Sequence, residues 1–84
     1  MKTNKDNKIK LTGVRRVIIK GEYIRLDALL KYASVVSSGG EAKVLIQSGE
    51  VYVGDQVCTM RGKKIIANDV IRVGRDILVV KQEN

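Results

Sequence analysis

The sequence predicts an α+β fold in which two short helices pack against a small, mainly antiparallel sheet that includes an N-terminal strand. Two observations support this prediction. Apolar residues recur with helical spacing between positions 26 and 46, and from Val51 onward the pattern changes to the alternation of strands. A chain of 84 residues hides about 60% of its extended surface on folding. We therefore expect one domain with a modest core and no deep catalytic cleft.

The N-terminal segment differs in composition from the rest. Its lysines lie among Asn and Thr, with too little apolar content to offset the entropy of the chain. We predict a flexible basic arm at residues 1–10 and a single domain at residues 11–84. The segment has no apolar core of a signal peptide, and no run approaches the ~20 apolar residues of a membrane span, so we expect a soluble protein.

The first strand and the first helix follow from local composition. Aliphatic residues between Val14 and Lys20 favour a strand, which Gly21 ends, and we expect this strand at an edge of the sheet. Helix one is predicted from about Leu26 to Ala33. Asp27 lies in its first turn, where a carboxylate interacts favourably with the positive end of the helix dipole.

The second helix has recognisable signals at both ends. Ser38 and Glu41 have the S-x-x-E spacing of a capping box, which predicts a helix start after a tight turn. Gly49 can adopt the left-handed conformation common after a helix, so the helix is predicted to end near Ser48. Strands are then predicted at 51–53, 64–66, 70–73 and 77–81, separated by Gly and Asp turns.

The charge of the chain indicates a polyanionic partner. Sixteen Lys and Arg against nine Asp and Glu give a formal charge of +7, and nucleic acid is the first candidate for such a field, although an acidic protein would also be attracted. Residues 1–25 carry +6, residues 26–60 carry −2 and residues 61–84 carry +3. Arg61-Gly62-Lys63-Lys64 places three cations around a glycine in a predicted loop. We predict that this loop and the N-terminal strand border the helices and form a phosphate-binding patch.

The sequence offers little for catalysis. It has no histidine, and its single cysteine, Cys58, has no neighbouring base. The acidic residues are scattered among caps and turns, so they indicate no convergent carboxylate pair. We therefore expect no catalytic residue, no metal site, no cofactor and no small-molecule substrate. A lone cysteine fits a reducing compartment, and we expect a cytoplasmic protein without a membrane partner.

Three motifs are spaced as in a known family. Arg25-Leu26-Asp27-Ala28-Leu29-Leu30 reads R-L-D-x-x-L, and Asp69-Val70-Ile71 resembles a closing G-D-x-I. Between them, the pattern S-R-x-x-A-x-x-L-I-x-x-G-x-V-x-V is matched by Ser38, Ala42, Leu45, Ile46, Gly49, Val51 and Val53. Over residues 25–73 the chain resembles the RNA-binding domain named after ribosomal protein S4 of the small subunit, also called the alpha-L motif. Its S-G-G-x-A-K and R-G-x-K segments are similar to those of short, free-standing bacterial members.

The resemblance implies a non-enzymatic α+β domain that presents two helices and a basic loop to structured RNA. Ribosomal or transfer RNA is the leading candidate, and the ribosome is a possible partner. Two positions depart from the pattern: Gly39 replaces the usual arginine, and Gly54-Asp55 replaces the usual Asn-Gly. Loop cations would compensate for the missing arginine. The residues expected to contact RNA are Arg15, Arg16, Arg25, Lys31, Ser37, Ser38, Gly39, Lys43, Arg61, Lys63 and Lys64.

Two other functions remain open at this point. Residues 26–47 could form a DNA-binding helix-turn-helix. Only Glu41, Lys43 and Gln47 of helix two could then contact base edges, which is fewer side chains than a recognition helix usually offers. The basic face could instead bind an acidic protein, which would make the chain an adaptor. The sequence leaves the oligomeric state and the identity of the RNA undetermined.

Overall fold

A computed structural model describes residues 13–83, so the predicted arm at residues 1–10 lies outside the described residues. The elements, in order, are β1 Val14–Ile19, β2 Ile24–Arg25, α1 Leu26–Tyr32, α2 Gly39–Gln47, β3 Val51–Val53, β4 Gln56–Val57, β5 Lys64–Ile65, β6 Val70–Val73 and β7 Asp76–Gln82. Two helices with a mainly antiparallel sheet confirm the predicted α+β class. Between residues 13 and 83, no helix is long and apolar enough to cross a membrane.

Five strands form the main sheet in the order β1-β7-β6-β3-β4. Its pairs are antiparallel except for β1 and β7, which run parallel with Val14 opposite Ile77. β1 therefore lies at an edge, as predicted. The strands β2 and β5 form a separate antiparallel pair beside the start of α1.

One hydrophobic core joins the helices to one face of the main sheet. The strands bury alternate residues, as expected for a sheet with one covered face. α1 and α2 contribute the apolar stripe predicted from their spacing. The buried apolar residues are Val17, Ile19, Leu26, Leu29, Leu30, Ala33, Ala42, Ile46, Val51, Ile65, Ile71, Val73, Leu78 and Val80.

The sequence did not predict β2 or β4, each of which has two residues. Strands this short show no periodicity of their own, and the partner of β2 lies far along the chain in β5. The link between the helices is also longer than the predicted tight turn, since it runs from residue 33 to residue 38.

A Schellman motif ends α1. The amide of Val35 donates to the carbonyl of Leu30 at 2.9 Å, and the amide of Ser34 donates to that of Lys31 at 3.0 Å. Ser34 has a φ of 61°, a left-handed conformation that usually favours glycine. The half-buried Val35 then packs against the core, so the motif turns the chain toward α2.

The strained position of Ser34 leads to a stability prediction. We expect Ser34→Gly to raise the free energy of unfolding by about 0.5–1 kcal/mol, because glycine adopts a left-handed backbone at little steric cost. Ser34→Ala is the matched control, because it also removes the hydroxyl but retains the steric conflict. Thermal denaturation followed by circular dichroism measures both variants. A glycine variant no more stable than the alanine variant would contradict the prediction.

Candidate nucleic-acid interface

The basic loop is attached to the start of α1 by main-chain hydrogen bonds. Arg25 precedes this helix and offers it no side-chain cap. The amide of Leu26 donates to the carbonyl of Lys63 at 2.8 Å, and that of Asp27 donates to the carbonyl of Arg61 at 3.0 Å. Amides in the first turn of a helix have no carbonyl acceptor within the helix, and here two carbonyl groups of the loop serve as the acceptors. Because Arg25 also pairs with Lys64 across β2 and β5, the loop is held on both sides.

Asp27 joins two arginines at this point. Its carboxylate accepts bonds from Arg25 Nε and Nη2, both at 3.1 Å, and from Arg61 Nε at 2.8 Å. The amide of Ala28 donates to the same group at 2.8 Å. The Asp27 side chain is only 10% exposed, whereas those of Arg25 and Arg61 are 55% and 39% exposed. A buried carboxylate thus orients two guanidinium groups whose other N–H groups reach the surface.

The pKa of Asp27 reflects opposing effects. Burial raises it, but hydrogen bonds from Arg61, Arg25 and the Ala28 amide lower it more, so the pKa lies below its ordinary value of 3.8. Asp27 is therefore ionised at neutral pH and balances one of the two arginine charges. The second positive charge remains available to an anion.

Two glycines lie beside these arginines. A Cβ atom at Gly39, the first residue of α2, would lie 3.9 Å from Arg61 Nη2, and one at Gly62 would lie 3.5 Å from Arg25 Nη2. Arg61 thus lies in front of the position where the family pattern has an arginine. The basic loop consequently contacts both helix starts, and we call Arg25, Arg61, Lys63 and Lys64 the basic corner.

Two further residues extend the basic corner. Lys64 Nζ lies 4.8 Å from the centroid of the Tyr23 ring, a cation–π contact that orients the lysine. Lys43 lies four residues after Gly39, so the two share a face of α2. The positive surface can therefore continue from Arg61 along α2.

The start of α2 is capped, with one difference from the prediction. Ser38 Oγ accepts from the amide of Glu41 at 3.1 Å, which confirms the N-cap. In a capping box the Glu41 carboxylate would accept from the amide of the cap residue, Ser38. It accepts instead from the residue before, since Glu41 Oε1 accepts from the Ser37 amide at 2.6 Å and from the Ser37 hydroxyl at 2.9 Å. These bonds from Ser37 lower the pKa of Glu41. Ser37 and Ser38 thus define the entry to α2.

Three predicted contact residues lie away from the basic corner. Arg15 Nη1 donates to the carbonyl of Ala33 at 2.8 Å, at the C-terminal end of α1, and Lys31 lies in the last turn of the same helix. Arg16 alternates with Arg15 on β1 and therefore faces the other side of the sheet. The single patch expected from the sequence is thus divided among three places.

Sequence reasoning did not anticipate the roles of Tyr23 and Asp27. Asp27 was assigned only to the helix dipole, although a carboxylate two residues after an arginine in R-L-D could have suggested an ion pair. No local signal indicates that Arg61, 34 residues away, completes it. Tyr23 meets Lys64 only because β2 and β5 pair.

The side chains that could support chemistry are dispersed. In the described range 13–83, no group of three or more Cys, Asp and Glu residues is arranged to hold a metal ion. Cys58 is a free, half-buried thiol that packs against the core, and its Sγ lies 3.8 Å from the Met60 carbonyl. These contacts are those of a packing residue.

Comparison with known proteins gives two matches. The family model described as S4 domain matches residues 17–81, which run from the second half of β1 through most of β7 and contain the basic corner. The protein described as "Probable ribosome maturation protein RlbA", from Bacillus subtilis (strain 168), is 39% identical to this chain over 57 residues. The aligned region covers 68% of this chain and 80% of that relative.

Proposed function

Because this chain belongs to the S4 domain family, we propose that it is a non-enzymatic protein that binds structured RNA, ribosomal or transfer RNA first, through its basic surface. The family match confirms the resemblance noted in the sequence. Since the relative is described as a probable ribosome maturation protein, we propose a cytoplasmic role in ribosome maturation. We also propose that residues 11–84 act as a single RNA-binding domain, without metal or cofactor.

The observation that carries this proposal is the pair of arginines held by Asp27. Four cations and one carboxylate give the basic corner and its anchor a net charge of +3. The buried carboxylate and the main-chain bonds of the loop fix the guanidinium groups before any ligand arrives. A preorganised arginine loses less conformational entropy when it binds a phosphate, and its planar N–H groups match phosphate oxygens.

The arrangement favours recognition of shape and phosphate positions over base identity. Lys43, Ser37, Ser38 and Gly39 would line the entry to α2 beside the basic corner. The amides of a helix start, together with the helix dipole, favour an anion there. Structured RNA presents phosphates and 2′-hydroxyls in such fixed arrangements, whereas its deep major groove hides the base edges.

Salt dependence of binding to a labelled RNA hairpin tests the proposal. We expect log affinity to fall steeply with log salt, and Lys63→Ala and Lys64→Ala each to reduce the slope by about 0.7–0.9, the release of counterions from one phosphate contact. Arg75→Ala, in the β6–β7 turn, is the control because it removes one charge outside the basic corner. Fluorescence anisotropy provides the affinities.

Two outcomes would count against the proposal. If Arg75→Ala reduced the slope as much as the lysine variants, net charge alone would explain binding. If unlabelled duplex DNA displaced the hairpin as well as unlabelled hairpin RNA did at equal salt, the helix-turn-helix alternative would be favoured.

A further inference from the structure

The outer side of the main sheet, opposite the helices, has an unusual composition. Register across the strands aligns one row of side chains on this side: Val14, Ile77, Arg72, Tyr52 and Val57. The next row is Arg16, Val79 and Val70, and the third is Ile18 and Lys81. We call these ten positions the outer sheet face. It spans all five strands, about 19 Å at ~4.8 Å per strand.

Much of the outer sheet face is aliphatic and open to solvent. Val14 is 60% exposed, Val57 47%, Ile18 41% and Val70 39%. An antiparallel sheet with one covered face normally has polar residues on the other, yet six of these ten positions are Val or Ile. Contiguous exposed apolar surface of this kind marks interaction sites.

The charge on this face has one sign. Arg16, Arg72 and Lys81 are its only ionisable groups apart from the Tyr52 hydroxyl, and none of the ten residues is acidic. Arg72 packs over the Tyr52 ring at 4.6 Å, and Lys81 Nζ donates to Asn68 Oδ1 at 2.9 Å. Both contacts orient a cation without neutralising it.

This combination favours a protein as the occupant. RNA phosphates gain nothing from burying Val and Ile, and one tyrosine is a poor platform for stacking bases. A second copy docked face to face would place its three cations against the three cations of this face, and the two copies would repel each other. Residues 1–12 carry four lysines and one aspartate, so they too are repelled. Aliphatic side chains interspersed with carboxylates complement both the apolar area and the charge.

We propose that the outer sheet face docks a protein whose contact segment combines aliphatic residues with Asp and Glu. The basic corner lies on the helix side, so RNA and this protein would bind opposite sides of the sheet. The contact is independent of the RNA-binding proposal, since it uses no residue of the basic corner or of the entry to α2. The face has ten residues, fewer than the ~20–30 per side of a standard stable interface, so we expect a reversible contact.

Photo-crosslinking in the cells that make the protein tests the inference. The full chain carries p-benzoylphenylalanine in place of Val70 on this face, or in place of Lys43 as the control on the RNA side. We expect the Val70 position to give a protein adduct that survives nuclease. Mass spectrometry should map the contact to a segment with net negative charge and aliphatic residues. The Lys43 position should give RNA adducts.

Variants that remove positive charges from the outer sheet face make the test specific. Combined Arg72→Gln and Lys81→Gln should reduce the Val70 adduct at least fivefold and leave hairpin affinity within about twofold at 0.15 M salt, where exposed charges beyond ~8 Å are screened. Combined Lys63→Ala and Lys64→Ala should weaken hairpin binding and leave the adduct. If this double variant melts at a lower temperature than the original chain by circular dichroism, Arg16→Glu on the edge strand replaces it and should at least halve the adduct.

The inference is overturned if the Val70 position gives no adduct or an RNA adduct. An adduct to a second copy, to residues 1–12 or to a segment without net negative charge overturns it equally. So does an adduct that persists undiminished in the folded glutamine variant. Hairpin affinity is measured separately with the basic-corner variants, so each proposal can fail without the other.

Discussion

Replacing Asp27 by Asn is expected to lower the free energy of unfolding by about 2–3 kcal/mol. The side chain keeps its size but loses the charge that binds Arg25 and Arg61, and its amide N–H groups would face those of the guanidinium groups. The loss is smaller than the ~3–5 kcal/mol of a fully buried pair because both arginines reach solvent. For a chain of this size, the melting temperature should fall by about 10–20 °C.

The effect of Asp27→Asn should depend on pH in a defined direction. The pKa of Asp27 is lowered in the folded state, so its ionisation stabilises the fold fully above the ordinary value of 3.8. That contribution is lost as the pH falls below 3.8 through the lower pKa of the folded protein. The difference between the original chain and the variant should therefore be largest near neutral pH and shrink at about pH 3.

Urea denaturation at both pH values measures this difference. Asp55→Asn is the matched control, since Asp55 is an exposed carboxylate in the β3–β4 turn. We expect it to change stability by less than about 0.5 kcal/mol at either pH. An Asp27→Asn variant as stable as this control would show that the two arginines do not depend on the carboxylate.

The sequence predicted the elements whose signals are local. The apolar stripes of α1 and α2, the Ser38 cap and the left-handed Gly49 are properties of short segments, and each occurs where expected. β2 was missed because it exists only through its distant partner β5, and β4 because two residues are too few to show alternation. The parallel pairing of β1 with β7 joins opposite ends of the chain, which no local pattern encodes.

The same distinction applies to the candidate site. Composition identified the cations of the Arg61–Lys64 loop, and the family pattern identified Gly39 as a missing arginine. How they are related depends on the fold: pairing of β2 with β5 and the bonds of Asp27 bring Arg61 in front of Gly39. Arg16 lies on the opposite side of the sheet from Arg15, because adjacent residues of a strand face opposite ways.

The position of Arg61 in front of Gly39 yields the second large prediction. Arg61→Ala should weaken hairpin RNA binding about tenfold, the loss of one charge-assisted hydrogen bond to phosphate. Adding Gly39→Arg should restore most of that affinity, because a side chain at position 39 would project into the space that Arg61 leaves. The backbone at Gly39 is not left-handed, so arginine is tolerated there.

Gly40→Arg provides the matched control for this exchange. It adds the same charge one residue along α2, where a Cβ would lie 3.8 Å from Ser38 Oγ instead of near Arg61. If Arg61 substitutes for the family arginine in space, Gly39→Arg should rescue the Arg61→Ala variant and Gly40→Arg should not. Equal rescue by both would mean that RNA responds to total charge, and the arrangement built around Asp27 would then have no part in binding. Anisotropy titrations with one hairpin at one salt concentration distinguish these outcomes, because the two double variants carry the same net charge as the original chain.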